Sequence, residues 1–442
     1  MSSNFIMRCG VIVFATTLFL ITALNAQKAP RANQPTPQNL TCNPAPCILP
    51  NVAVSQGGYE KDTNMIAANP VDPLHLLVLA EDYTCVNSRN SLFSSSDGGG
   101  TWSHLCAPAL PGYFSGAPAV IAYDGSGVAY TAIAESNPVK KADSVMVFSS
   151  ADNGATWGKP VRVLRDSVPI AMQVDTSPDS PFKDFLYVSS QRFEFTGQTY
   201  LYDVAVSHSN DRGKTWTTAL IARSNGNIFA VPSTLATARD GSVYLAWTEC
   251  RFISEFGCFS LRQMVSKSTD GGTTWNPPVT VGIAGILFDY APLGISPIIA
   301  VDNSNQPTQG NVYLAGYDYN GTYSRVSVTT SRDGGATWSA PVPVSKSATG
   351  NEYYQWASVS SSGTLGVTWL DSRADGIHNQ PYYAISTDGG LTFTGDQPLS
   401  DELTSPRVGY FRAHTWIGNA LYATWVDTRT GNQQIELGGV QF

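Results

Sequence analysis

Apolar and polar residues alternate along this chain in short runs that occur in pairs. The first run of each pair is centred on Met65, Val120, Met172, Leu235, Ile299, Ala357 or Trp416. The second run, after a turn, covers 74–81, 128–135, 185–192, 243–251, 312–318, 365–373 or 421–429. Short alternating runs bounded by turn residues are typical of β-strands. The pattern therefore predicts an all-β chain of seven similar units.

An octapeptide of the form Ser-x-Asp-x-Gly-x-Thr-Trp follows a further strand-like run in six of these units. Its aspartates are Asp97, Asp152, Asp211, Asp270, Asp333 and Asp388, and only the last copy replaces Trp, by Phe393. Successive copies lie 55 to 63 positions apart, which suits one four-stranded blade per repeat. Asp-x-Gly favours a tight turn, and Trp offers a large apolar surface. We interpret the aspartates as structural, because one active site does not need six equivalent copies.

These octapeptides are the residues on which a family resemblance depends. They match the Asp box, and the chain resembles the Asp-box β-propellers, whose best-known members are the sialidases. The box is specific for the fold and weak for function, since unrelated glycosidases, receptors and assembly factors also carry it. We expect an all-β propeller of four-stranded antiparallel blades. The strand pairs favour seven blades, and six, the number in sialidases, is the alternative.

The seventh unit carries no octapeptide, and the pattern up to Phe442 provides no outer strand for it. Residues 51–55 precede the first unit and read as a strand that closes the ring, which would remove an exposed sheet edge. The predicted organisation is therefore a signal peptide at 1–26, a Pro-rich tether at 27–50 and one propeller domain at 51–442.

Composition narrows the class of protein. Arg8 followed by an apolar run at 11–24 is typical of a secretory signal, so we expect a secreted chain that does not span a membrane. A net charge of −8 argues against nucleic acid as a partner. No motif indicates a metal or another cofactor, and we expect a monomer. Six cysteines remain after the signal, for which nearest-neighbour pairing gives 42–47, 85–106 and 250–258 among fifteen connectivities.

Polar residues occur at the end of the second run of each pair. In a propeller, these ends lie on the face opposite the octapeptide turns. Three runs end in Trp-x-acid-x-Arg: Trp247-Glu249-Arg251, Trp369-Asp371-Arg373 and Trp425-Asp427-Arg429. One interpretation is a ring of carboxylates and guanidinium groups around a ligand, since such groups cleave glycosidic bonds and bind sugar carboxylates. The other is an ion pair inside each blade, which its recurrence favours.

The sialidase resemblance implies three arginines for the substrate carboxylate, a Tyr nucleophile with a Glu partner, and an Asp acid/base. The catalytic candidates by that resemblance are Asp82, Tyr354 with Asp371, and Tyr410 with Asp427. The substrate-binding candidates are Arg192, Arg251, Arg325, Arg373, Arg429 and Glu249. The Arg-Ile-Pro motif of the family's first blade is missing, because residues 59–65 contain no Arg.

Two functions are consistent with these residues. The first is a secreted, sialidase-like glycoside hydrolase that removes a terminal sugar, either anionic or neutral. The second is a non-catalytic propeller that binds a glycan or a protein through the same face, which the missing Arg-Ile-Pro motif favours. Sugar and linkage stay open at this stage.

Overall fold

A computed structural model describes residue 42 and residues 44–57, 61–85, 88–137, 142–197, 200–224, 228–254, 257–284, 297–319, 321–405 and 413–442. Over these ranges the chain forms seven four-stranded antiparallel sheets arranged as the blades of a β-propeller, which confirms the favoured blade number. No helix long and apolar enough to cross a membrane occurs in them. The predicted signal peptide at 1–26 and most of the predicted tether at 27–50 lie outside the described residues.

Each blade except the last takes four strands in chain order. Blade 1 contains β2 (Lys61–Ala68), β3 (Leu76–Asp82), β4 (Asn90–Ser95) and β5 (Ser103–Cys106). Blade 2 contains β6 (Phe114–Tyr123), β7 (Ala129–Asn137), β8 (Ala142–Ser150) and β9 (Val161–Arg165). Blade 3 contains β10 (Ser167–Val174), β11 (Leu186–Phe195), β12 (Tyr200–Ser209) and β13 (Thr217–Ala222). Blade 4 contains β14 (Ile228–Thr237), β15 (Val243–Ser254), β16 (Gly257–Ser268) and β17 (Val279–Ala284). Blade 5 contains β18 (Ile298–Val301), β19 (Val312–Tyr319), β20 (Ser324–Ser331) and β21 (Val342–Pro343). Blade 6 contains β22 (Glu352–Val359), β23 (Leu365–Asp371), β24 (Gln380–Ser386) and β25 (Thr394–Pro398).

Blade 7 joins the two ends of the described chain. Its sheet order is β1 (Cys47–Ala53), β28 (Gln434–Gln441), β27 (Ala420–Asp427) and β26 (His414–Ile417), so β1 is its outer strand. The register of β1 on β28 runs from Cys47 opposite Gln441 to Ala53 opposite Glu436. The predicted ring closure is therefore confirmed, although the strand begins four residues before the segment that the sequence suggested.

The hydrophobic pattern follows from the position of each strand within its blade. The second strands β3, β23 and β27 are buried almost along their whole length, because neighbouring blades pack on both of their faces. The outer strands β5, β13 and β25 are mostly exposed. The second apolar run of each unit is thus the core of its blade.

The octapeptides form six turns of one geometry. In each turn the Ser Oγ donates to the Asp Oδ1 over 2.7–2.9 Å, and the Thr N–H donates to the same oxygen over 2.8–3.0 Å. The Gly N–H donates back to the Ser Oγ. Gly154 has φ 84°, and a Cβ there would lie 2.7 Å from Leu92 of the preceding blade. The turns therefore close each blade and pack it on its neighbour.

These turns predict a loss of stability in acid. Slight burial works to raise the pKa of Asp211, but the hydrogen bonds from Thr215 and Ser209 outweigh it and lower the pKa to about 2. A carboxyl with a lowered folded-state pKa stabilises the fold above its unfolded pKa, roughly 3.9, and this contribution is lost as pH falls through about 2. We expect the melting temperature to fall between pH 4 and 2, and Asp211→Asn to weaken that dependence. Asp143→Asn, at an exposed strand position, should leave it unchanged in thermal melts across this range.

Two of the proposed disulfides are confirmed, Cys42–Cys47 beside β1 and Cys85–Cys106 in blade 1. Cys250 is also disulfide-bonded. Its proposed partner, Cys258, has a side chain outside the described set.

Candidate functional site

The polar residues at the ends of the second strands lie on the face opposite the octapeptide turns. In blade 1, Leu76 at the start of β3 pairs with Ser95, where the octapeptide begins, while Glu81 at the far end pairs with Asn90. The same antiparallel arrangement holds in the other blades. We call this face, which carries the ends of the second strands, the site face.

The Trp-x-acid-x-Arg unit of blade 6 forms a closed cluster. Asp371 is fully buried, accepts a hydrogen bond from the Trp369 indole N–H at 2.9 Å, and forms an ion pair with Arg373 at 2.6 Å. The Arg373 guanidinium also pairs with Asp396 at 2.8 Å and lies 4.2 Å from the centre of the Tyr382 ring. These contacts support the interpretation of Asp371 and Arg373 as an ion pair that stabilises the blade.

Blade 7 repeats this arrangement and adds the closing strand to it. Asp427 accepts the Trp425 indole N–H at 3.0 Å and pairs with Arg429 at 2.7 Å. Arg429 also pairs with Asp401 at 2.6 Å and donates to Asn51 of β1 at 3.3 Å. Its guanidinium therefore ties the outer strand to the centre of the blade.

The remaining predicted arginines and Glu249 occupy separate places on the site face. Arg192 pairs with Glu194 at 2.9 Å and with buried Asp203 at 3.1 Å in blade 3. Glu249 in β15 accepts the Trp247 indole N–H at 3.3 Å. The Arg251 backbone pairs with Ile228 in β14, and its side chain lies outside the described set. Tyr410 also falls outside the described residues.

Asp82 is fully buried at the end of β3. Its Oδ1 accepts both the N–H and the hydroxyl of Thr84, at 2.9 and 2.6 Å. Its Oδ2 lies 3.4 Å from the Lys61 ammonium and 3.9 Å from His104 Nε2. Its carboxylate is thus held by contacts within blade 1, from Thr84, Lys61 and His104.

The junction of blades 5 and 6 brings together an arginine from the prediction and a carboxyl that the prediction missed. Glu352 is fully buried, its Oε2 accepts the Val326 N–H at 2.7 Å, and its Oε1 lies 3.6 Å from Arg325 Nη1. Arg325 Nη2 is buried and makes no hydrogen bond with the described residues. Buried polar atoms in this state are uncommon in folded proteins, and a bound water or ion or a catalytic role commonly explains them.

Glu352 is also poised to exchange a proton near neutral pH. Burial raises its pKa to about 7, and nearby Asp371 adds to the rise, whereas the hydrogen bonds from the Val326 N–H and the Ser345 side chain and the charge of Arg325 work against it. Asp371 lies opposite Glu352 in the β22–β23 register. A carboxyl with such a pKa is well matched to general acid–base catalysis.

Tyr354 follows two residues after Glu352 on an irregular stretch of β22. The register shifts between Tyr353 and Trp356, and Tyr354 has φ 54°, a left-handed conformation that is costly for an aromatic residue. Its ring is half-buried and meets the Tyr353 ring edge to face at 5.3 Å. Backbone strain of this kind is concentrated at functional sites.

Glu135 in blade 2 is a second carboxyl that sequence reasoning did not select. It is fully buried, and its Oε1 accepts the Ser115 hydroxyl at 2.8 Å, while its Oε2 has no hydrogen-bond partner among the described residues. Burial raises its pKa to about 7. The only sequence signal was its place at the end of a second strand, which other polar residues share.

A cavity of about 400 Å³ lies at the other end of the propeller. It is lined by residues of the first strands, such as Ala68, Val174 and Val359, whose ends lie on the side of the octapeptide turns. Its wall combines apolar side chains with polar groups, among them His414, which is bonded to Ser358 and Thr368 at 2.6 and 2.9 Å. This cavity is therefore separate from the carboxyls of the site face.

The described residues contain no group of three His, Cys, Asp or Glu side chains placed to hold a metal ion. The ionisable groups of the site face instead pair with one another, as Asp371 with Arg373 and Glu352 with Arg325.

Comparison with known proteins defines the fold and leaves the family open. No family model matches the sequence, and no curated protein matches it. Among solved structures, the Hadza microbial sialidase Hz136 is 15% identical with a TM-score of 0.50, over 71% of this chain and 64% of that one. A protein of unknown function from Dyadobacter fermentans is 11% identical with a TM-score of 0.50, over 90% of this chain and all of that one. The chain thus spans just under two thirds of the sialidase, and these similarities concern the fold.

Proposed function

We propose that this chain is a secreted, glycan-directed glycoside hydrolase of the Asp-box propeller type. The observation that carries the proposal is the grouping at the junction of blades 5 and 6. A buried carboxyl with a pKa of about 7, a guanidinium with an unpaired N–H, and a tyrosine on strained backbone occur within one short region, as Glu352, Arg325 and Tyr354. A sialidase is among the solved structures of similar fold, which agrees with this chemistry, but the proposal does not depend on that similarity.

In the proposed reaction, the Tyr354 hydroxyl oxygen forms a bond to the anomeric carbon while the glycosidic C–O bond breaks. Glu352 accepts the phenolic proton, and Arg325 binds an acidic or hydroxyl group of the sugar. A second carboxylic acid protonates the departing oxygen. We assign this role to Glu135, because burial raises its pKa to about 7. Water then releases the sugar from Tyr354.

The test is hydrolysis of a fluorogenic aryl sialoside and of neutral aryl glycosides by residues 27–442. We expect Tyr354→Phe and Glu352→Gln each to lower kcat at least about hundredfold, a typical cost of losing a nucleophile or its base. The control Tyr319→Phe, at a half-buried tyrosine of blade 5, should retain full activity. Because Glu352 must be ionised to act as a base and Glu135 must be protonated to act as an acid, kcat should peak near pH 7 and fall on either side. Full activity in both variants would exclude this site.

The alternative is a propeller that binds glycans without cleaving them. The closed clusters around Arg373 and Arg429 favour it, because these guanidinium groups already bond to carboxylates of their own blades. Two results together would establish this function instead. None of the aryl glycosides would be hydrolysed, and the protein would bind an oligosaccharide whose binding Arg325→Met abolishes.

A further inference from the structure

Two exposed aromatic side chains occupy neighbouring blades of the site face, away from the junction of blades 5 and 6. Tyr83 follows the end of β3 and is 52% exposed, and Phe114 begins β6 and is 46% exposed. Large apolar side chains are normally covered, and exposed aromatic residues held rigidly are typical of binding surfaces. Neither residue has a role in the reaction proposed above.

The loop that carries Tyr83 is held in place by several independent contacts. Its Cys85 is bonded to Cys106 of β5. Arg89 lies 4.8 Å from the centre of the Tyr83 ring, and its Nη2 donates to the Tyr83 hydroxyl and pairs with Glu81 at 2.8 Å. The Tyr83 ring is therefore fixed before any ligand arrives, which lowers the entropy cost of binding.

The same loop is attached to the strand that carries Phe114. The Arg89 N–H donates to the Ser115 carbonyl at 3.3 Å, and Ser88 forms a β-bridge with Ser115, the residue after Phe114. The Asn90 side chain adds a bond to the Gly116 carbonyl at 3.0 Å. Tyr83 and Phe114 thus belong to one ordered patch, which we call the aromatic rim: Tyr83, Glu81, Arg89 and Phe114.

The charges of the aromatic rim favour a neutral ligand over an anionic one. Arg89 is neutralised by Glu81, and Asp62 lies opposite Glu81 in the β2–β3 register. An anionic group would meet no net positive charge here, in contrast to Arg325 at the blade 5–6 junction. The Arg89 guanidinium and the Glu81 carboxylate offer donors and acceptors for hydroxyl groups. Aromatic rings can stack on the apolar C–H face of a pyranose ring.

We propose that the aromatic rim is a second carbohydrate subsite, which binds a neutral hexopyranose unit of an extended glycan. The inference rests on the proposed function and extends it, because it makes the substrate an oligosaccharide or glycoconjugate rather than a single terminal sugar. Tyr83 and Phe114 supply stacking surfaces, and Arg89 and Glu81 form hydrogen bonds with the hydroxyl groups of the sugar.

The experiment measures binding separately from turnover. Residues 27–442 carrying Tyr354→Phe are applied to a microarray of neutral and sialylated oligosaccharides, and Kd is determined by calorimetry for each oligosaccharide that binds. Tyr83→Ala, Phe114→Ala and Arg89→Met should each weaken binding of oligosaccharides with neutral hexose units at least tenfold. The control Phe195→Ala removes an aromatic side chain of blade 3 that is 60% exposed, and Leu391→Ala alters the turn side, so both should change Kd less than twofold.

The outcomes separate this inference from the proposed function. Oligosaccharide binding that depends on Tyr83, without any hydrolysis, supports the subsite and rejects the hydrolase. Hydrolysis with oligosaccharide Kd and KM values that are the same in all rim variants supports the hydrolase and overturns the subsite. Absence of neutral oligosaccharide binding in the parent protein also overturns it. Thermal melts within a few degrees of the parent protein confirm that the variants fold.

Discussion

Removal of strand β1, residues 47–53, is expected to abolish the cooperative thermal unfolding of the propeller or to lower its midpoint by more than about 15 °C. Each blade packs against two neighbours, so blade 7 completes both blade 1 and blade 6. Without β1, the edge of β28 is unpaired and Leu437 and Ile435, now fully buried, lose part of their cover. Losing several buried side chains at once costs far more than the typical margin of a folded domain.

Point variants within β1 give the matched control. Leu49 is 2% exposed and packs in the core between blades 7 and 1, whereas neighbouring Ile48 is 41% exposed. Leu49→Ala should destabilise the protein by about 2–5 kcal/mol, and Ile48→Ala by well under 1 kcal/mol. Adding a synthetic peptide of residues 44–57 to the deleted chain should restore part of the melting temperature. An unchanged melt after deletion of β1 would contradict the closing role of this strand.

Asp427→Ala is the second large effect that we expect, at about 3–5 kcal/mol of unfolding free energy. The substitution leaves the Arg429 guanidinium, whose side chain is only 7% exposed, without its bidentate partner. It also removes the acceptor of the Trp425 indole N–H in the core. Breaking a buried pair on one side costs more than replacing both partners, because the Arg429 charge then keeps, among the described residues, only the exposed carboxylate of Asp401 as an ion-pair partner.

A double-mutant cycle tests this explanation with Asp427→Leu, Arg429→Met and the two together, followed by urea unfolding. We expect the double variant to be more stable than Asp427→Leu alone. The cycle also discriminates between the two interpretations of Asp427. If the residue is catalytic, Asp427→Ala abolishes hydrolysis while the urea midpoint stays near that of the parent protein. If the residue is structural, Asp427→Ala lowers the urea midpoint, and any loss of hydrolysis follows from that loss of stability.

The strands and blades could be predicted from the sequence because local patterns encode them. The apolar runs around Leu77 or Val367 and the Ser, Asp and Gly of each octapeptide act within a few residues, and the structure forms strands and turns at these positions. The extra strand pair without an octapeptide was sufficient to favour seven blades. Closure by the N-terminal segment followed from the same count, since a strand was missing at the other end.

The candidate site could be predicted only in part, because its contacts join residues that are distant in sequence. Arg325 was selected through the family resemblance, but its pairing with Glu352 depends on how blade 5 packs on blade 6. No periodicity distinguishes Glu352 from the other carboxyls, and its pKa is set by burial that only the folded blades create. In contrast, Trp-x-Asp-x-Arg proved to be a local hydrogen-bonded unit, as its recurrence in the sequence had suggested.

The pairing of β1 with β28 also constrains the order in which the chain folds. Cys47 and Gln441 meet in this pair although almost the whole chain separates them, and pairings between such distant residues form slowly. Blades 1 to 6 can each assemble from one continuous segment, whereas blade 7 cannot form until β28 has been synthesised. Until then β1 has no partner in its own chain, and another copy's β28 offers the same edge. High concentration during refolding should therefore favour exchange of β1 between copies.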